Sequence, residues 1–168
     1  MRSELRRRCE ARLQALRLPE PFSVPGFCRG LAEQRGRPIK LSAVAMPPGL
    51  YGAWIAGSHT DHIFFERRTS AVHQEHIVLH EIGHLLCGHE SAPAPADDML
   101  SLLPSLRRET VRRVLGRTGY AAAEEREAEL LASLISLAAV RAVRADPAGE
   151  PPASDVLRRL EQTLGRTS

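Results

Sequence analysis

The stretch SAVHQEHIVLHEIGHLLCG, residues 70–88, decides how the rest of the chain is read. Ser70 or Thr69 can cap the start of a helix and Gly88 can end one, so the spacing predicts a helix running to about Cys87. On a wheel of about 100° per residue, His73, His76, His84 and Cys87 fall within about 40° of His80, while Val78, Ile82, Leu85 and Leu86 fall opposite. A helix patterned in this way packs one face on a core and lines a cleft with the other.

Within it, His80-Glu81-Ile82-Gly83-His84 has the H-E-x-x-H spacing. Residues four apart on a helix stand roughly 6 Å apart on one face, so two imidazoles can meet one zinc ion. Glu81 projects about 100° from His80, beside the metal face, where a carboxylate can take a proton from an attacking water without being a ligand. Catalytic zinc wants three protein ligands and an open position. The longer H-E-x-x-H-x-x-G-x-x-H pattern would need Gly at 87 and His at 90, but the chain has Cys87 and Glu90, and His89 is out of register as a third ligand. Glu125 and Glu129, at i and i+4 of a later helix, share a face with the small residues Ala122, Ala128, Ala132 and Ser136, which would let the two helices approach closely. Glu125 is therefore the expected third ligand, and Glu129 a carboxylate that orients a histidine through its other ring nitrogen. Glu124 and Glu127 have no carboxylate four residues ahead, and zinc affinity is expected not to depend on Glu127. Tyr120, just before that helix, could offer its hydroxyl to a developing oxyanion. His73 and His76 read as structural or cleft-lining histidines, and Cys87 as a small apolar residue.

Outward from this helix, residues 3–16 place Leu5, Cys9, Leu13 and Leu16 at helical spacing, ending ahead of Pro19 and Pro21, and a second helix is expected from about Pro25 to Gln34. Ile39, Leu41 and Ala43 alternate with polar or small residues, and Trp54 to Ala56 and Ile63 to Phe65 read as short strands. The last of these could lie at an edge and hold an extended peptide by main-chain hydrogen bonds. Residues 91–104 read as a loop, 106–115 and 121 to about 143 as helices, 147–152 as a break, and 154–164 as a peripheral helix. The expected class is α+β: one domain over 1–168, with a small N-terminal sheet on a helical metallopeptidase core of about 25–145.

With 168 residues, 43% of them hydrophobic, the chain can build one real core and not two of ordinary size. The formal charge of +3 is carried by arginines scattered among acids and apolar residues, and aromatics are only 4%, a composition that argues against direct nucleic-acid binding. Three cysteines without a C-x-x-C pair suggest neither a disulfide framework nor a thiolate zinc site. The arginine-rich start lacks a signal peptide's apolar core, and no apolar run approaches the roughly 18 residues of a membrane span, so a cytoplasmic protein without membrane attachment is expected.

With both motifs in hand, the chain resembles the ImmA/IrrE family of gluzincin metallopeptidases. There, a short sheet precedes the helix with H-E-[IL]-G-H, matched here by His80-Glu81-Ile82-Gly83-His84, and a later helix carries a pattern like E-x-x-A-[ND]-x-F-A, matched by Glu125-Arg126-Glu127-Ala128-Glu129-Leu130-Leu131-Ala132. Glu129 stands where an aspartate or asparagine is usual, and Leu131 where phenylalanine is usual. The resemblance covers roughly residues 25 to 140. It implies a zinc-dependent endopeptidase that cleaves a helix-turn-helix repressor or antitoxin-type regulator. The alternative is a non-catalytic zinc-binding module that docks to such a regulator, as a component of a toxin–antitoxin-like system.

Overall fold

A computed structural model describes residues 2–91, 96–105, 107–115 and 119–145. The helix expected at 154–164 lies outside the described residues. The elements run α1 (Arg2–Gln14), α2 (Val24–Arg35), β1 (Ile39–Val44), β2 (Gly52–Ala56), β3 (Asp61–Glu66), α3 (Ala71–Cys87), α4 (Asp97–Leu102) continued by a 3-10 turn (Leu103–Ser105), α5 (Arg108–Leu115) and α6 (Ala122–Ala145). The class is α+β, a small sheet among helices.

Local chemistry sets the ends of the helices that matter most. The Ser23 hydroxyl accepts from the Gly26 N–H at 3.1 Å, Pro25 occupies the first turn of α2, and Gly36 ends it with φ 63°. The Ser70 hydroxyl accepts from the His73 N–H at 3.3 Å at the start of α3. At its end Gly88 takes φ 70°, a left-handed conformation that glycine adopts without steric cost. The Gly88 N–H then donates to the Leu85 carbonyl at 3.3 Å and the His89 N–H to the His84 carbonyl at 3.1 Å, the paired bonds of a Schellman turn. His89 is thereby folded back against the last turn of α3.

The sheet order is β1-β3-β2, with β1 parallel and β2 antiparallel to β3. This corrects the expectation that Ile63 to Phe65 form an edge: β3 is the central strand, already hydrogen-bonded on both sides. Its short apolar run serves two cores, because alternate side chains leave opposite faces of a sheet. Ile63, with Trp54 of β2, packs against Val78, Leu79, Ile82 and Leu85 of α3 and Leu131 and Ile135 of α6, together with Cys9, Phe27 and Leu31 from α1 and α2. Phe64, with Ala53 and Ile55, packs on the other face against Leu100, Leu103, Val111 and Leu115.

That second core corrects another expectation. Residues 97–105 are helical rather than loop, because Leu100 and Leu103, three apart, are fully buried on the sheet while the aspartates stay at the helix start. Asp97 also ties this element to the β2–β3 turn by accepting from the His59 N–H at 2.9 Å.

Helices α3 and α6 meet without spacing side chains. A Cβ at Gly83 would stand 2.7 Å from the Ala128 carbonyl oxygen and 2.9 Å from its Cα, so this crossing requires glycine. Ala128, Leu131, Ala132, Ile135 and Ala139 form the buried stripe of α6, with the alanines where the approach is closest. Among the described residues, no helix is long and apolar enough to cross a membrane.

Candidate metal centre

The α3–α6 crossing converts two sequence spacings into one cluster. His80 Nε2 and His84 Nε2 lie 3.1 Å apart, Glu125 Oε2 is 3.0 Å from the first, and the same oxygen is 3.7 Å from the second. These three groups, all expected as ligands, offer donor atoms within 4.8 Å of one another and could hold a metal ion. Glu129 also takes its expected place, with Oε2 3.2 Å from His80 Nδ1 and 3.2 Å from His76 Nε2. It thus engages the ring nitrogen of His80 that faces away from the cluster, and His76 is a neighbour of that carboxylate rather than a further donor. His73 sits beyond, its Nδ1 2.7 Å from the Thr69 hydroxyl and its ring against Tyr51.

His84 is enclosed on every side, at 1% exposure. Its ring stacks on Tyr120, with centroids 3.6 Å apart and planes 17° from parallel. Burial, followed by the neighbouring His80 and His89, lowers its pKa to about 3, so the imidazole is held neutral with a lone pair free for a cation.

Glu81 is buried between α3 and β2. Burial pushes its pKa up to about 8; the Trp54 backbone N–H, hydrogen-bonded to it, works in the opposite direction, and the Glu125 charge adds to the rise. Its Oε2 has no hydrogen-bond partner. Such an oxygen is costly to leave unmatched. Gly52 makes the room: a Cβ there would fall 2.6 Å from Glu81 Oε1 and 2.6 Å from Ile77 Cγ2. Sequence reasoning passed over Gly52, whose signal is a glycine opening a strand, a mark of close approach.

Tyr120 reaches the same space. Its hydroxyl is buried without a hydrogen-bond partner, and its pKa is raised by burial and by Glu81, Glu125 and Glu124, so it remains a proton donor. A cleft of about 300 Å³ is lined by Tyr51, Gly52, His76, Glu81 and Tyr120 among others, with His80 and His84 at its floor.

The corrected strand order changes what can dock there. Along β2 the Trp54 N–H is taken by Glu81 and the Ala56 N–H by the Ser91 hydroxyl at 2.9 Å, which leaves the Gly49–Gly52 segment as the main-chain wall of the cleft.

Glu127 has a setting that the sequence did not indicate. It is not a donor to the His80–His84 point, yet it is buried and faces His89, with Arg8 at 3.1 Å and Arg12 at 3.4 Å. His89, out of register as a third ligand in the sequence, lies with Nδ1 2.9 Å from His84 Nδ1. The signal that could have found it is Gly88, whose left-handed turn directs the next residue back along the helix.

Comparison with protein-family models, with curated proteins and with solved structures finds no match to this chain.

Proposed function

We propose that the chain is a zinc-dependent peptidase of the ImmA/IrrE kind, with His80, His84 and Glu125 as ligands, Glu81 as general base and Tyr120 as oxyanion donor. The observation that carries this reading is the meeting of two imidazole Nε2 atoms and one carboxylate oxygen beside a buried glutamate with one unpartnered oxygen. Four ligands tetrahedrally placed about 2.0–2.2 Å from zinc stand roughly 3.3–3.6 Å apart, and the three donor separations of 3.0, 3.1 and 3.7 Å bracket that range. Two imidazoles and a carboxylate are also a donor set that catalytic zinc uses. Bound there, zinc would supply Lewis acidity, bringing the pKa of a coordinated water to about 7.

The chain's own residues do the rest. Glu81 accepts the proton of the attacking water at its unpaired oxygen and, as an acid, passes it to the leaving amine. Tyr120 donates its hydroxyl hydrogen to the carbonyl oxygen as negative charge builds there. The Gly49–Gly52 wall gives an extended peptide a main-chain edge beside these groups. A helix-turn-helix regulator cleaved in the cytoplasm is the substrate this reading favours. A docking module with a purely structural metal would have no use for a buried base beside its ligands, and Glu81 therefore favours turnover.

The test is Glu81→Gln, which keeps the shape but cannot accept the proton. Metal content measured on purified protein should be unchanged, while fragmentation of a co-expressed neighbouring regulator should drop by about 10²- to 10⁴-fold. Full cleavage by the variant would refute the role of Glu81.

A further inference from the structure

Behind the metal point lies a second cluster, Cys87, His89 and Glu127, whose donor atoms also fall within 4.8 Å of one another. Its geometry assigns it a different task. With a cation held at Nε2 beside His80 and Glu125, the neutral His84 ring carries its hydrogen on Nδ1. That N–H points at His89 Nδ1, 2.9 Å away, with both rings buried. His89 must then accept at Nδ1 and carry its own hydrogen on Nε2, which faces Glu127 Oε2 at 3.6 Å. Glu127 is held from the far side by Arg8 and Arg12 of α1, and the Arg12 Nε also donates to the Leu86 carbonyl at 3.3 Å. With the metal point occupied, the hydrogens along this line run from His84 to His89 and from His89 towards Glu127.

We propose that His89 and Glu127 are positioning residues for the metal centre: His89 fixes the tautomer and ring direction of His84, and Glu127, clamped by α1, fixes His89. This rests on the metal-centre reading above and extends it to a helix that contributes no ligand. A second metal ion among Cys87, His89 and Glu127 is the rival arrangement. It is disfavoured because guanidinium groups already face both carboxylate oxygens and because His89 Nδ1 is used by His84. The two ligand histidines are thus supported in different ways: His80 directly by a carboxylate, His84 through another imidazole.

The experiment is titration of the metal-free protein with Co²⁺, followed by its visible absorption, for the native chain and for His89→Ala, His89→Asn and Glu127→Gln. Melting in chelator reports folding separately. The native chain should take one equivalent. His89→Ala should take one equivalent with affinity lower by about 10- to 100-fold and an altered spectrum. His89→Asn, whose amide oxygen can accept the same Nδ1–H, should recover most of the loss, and Glu127→Gln should show a smaller shift in the same direction. Unchanged affinity in His89→Ala would overturn the proposal. So would equal losses in His89→Ala and His89→Asn that track their chelator melts, since these would mark a merely structural role. Two equivalents in the native chain falling to one in His89→Ala would establish the rival second site. If the native chain bound no Co²⁺, the metal centre itself would fail, and this inference with it.

Discussion

The outer and inner walls of the α3–α6 crossing, on either side of the donor cluster, carry similar groups in opposite settings. On the outer wall His76, His80, Glu125 and Glu129 face water, Glu125 and Glu129 being about half exposed. On the inner wall His84, His89 and Glu127 are closed in by Tyr120 and α1. Solvent can replace a lost partner on the outer wall, where exposed ion pairs contribute little. It cannot do so on the inner wall, where an unmatched polar atom carries its full desolvation cost. The outer wall can therefore exchange ligands and substrate while the inner wall holds the geometry. A site built only of exposed pairs would have donors but no fixed point for them to meet.

The largest change should come from an outer group that is itself a donor. Glu125→Ala is expected to lower zinc affinity beyond the ~100-fold that a supporting residue accounts for, whereas Glu127→Ala should stay within that supporting range; competition with a chelator separates them. Equal losses would erase the distinction between ligand and support. Gly83→Ala forces the two helices apart at the backbone, so both walls should suffer, with a stability loss of about 1–3 kcal/mol in urea denaturation and weaker zinc binding. A neutral result would mean that the crossing can relax.

The hydrophobic core to which α2 contributes should be alkali-sensitive. Burial raises the Cys28 thiol from 9.0 to about 12. Below pH 9 the thiol is protonated in folded and unfolded chains alike, and its contribution is fully present. From pH 9 towards 12 the unfolded chain ionises first, so stability should fall by about 1.4 kcal/mol per pH unit from this group. Urea midpoints at pH 8, 9 and 10 should decline in the native chain and less steeply in Cys28→Ala; parallel declines would place the sensitivity elsewhere. The smallest effect is assigned to the outer support: Glu129→Gln should change stability by less than about 0.5 kcal/mol, as its carboxylate is exposed. A large loss on thermal denaturation would show that the outer wall is also part of the frame.

Legibility followed the range of the interactions. The caps Ser70 and Gly88, the spacing of His80 and His84, and the small-residue face around Glu125 are all local and periodic, and each was readable along the chain. The place of β3 was not, because an apolar strand of that length fits an edge or a centre until its partners are known. Residues 97–105 looked like a loop because their buried leucines have meaning only against the underside of the sheet. Gly52 is needed only because Glu81 and Ile77 come from a distant helix to stand over it. Glu127 lies on a different side of α6 from Glu125, so a wheel centred on the metal face gives no reason to notice it.

The sequence by itself determined the chemistry within reach: two imidazoles one helical turn apart, a carboxylate beside them, and a glutamate-bearing helix with a small-residue face. Backbone periodicity ties those residues together wherever the helices go. Only the tertiary structure decided that Glu125, expected from its spacing, does meet the two Nε2 atoms, that His84 is sealed beneath Tyr120, and that Glu127, His89 and α1 stand behind it. Those facts depend on how closely α3 and α6 cross, and that separation is set by contact between Gly83 and Ala128, residues 45 positions apart in the chain.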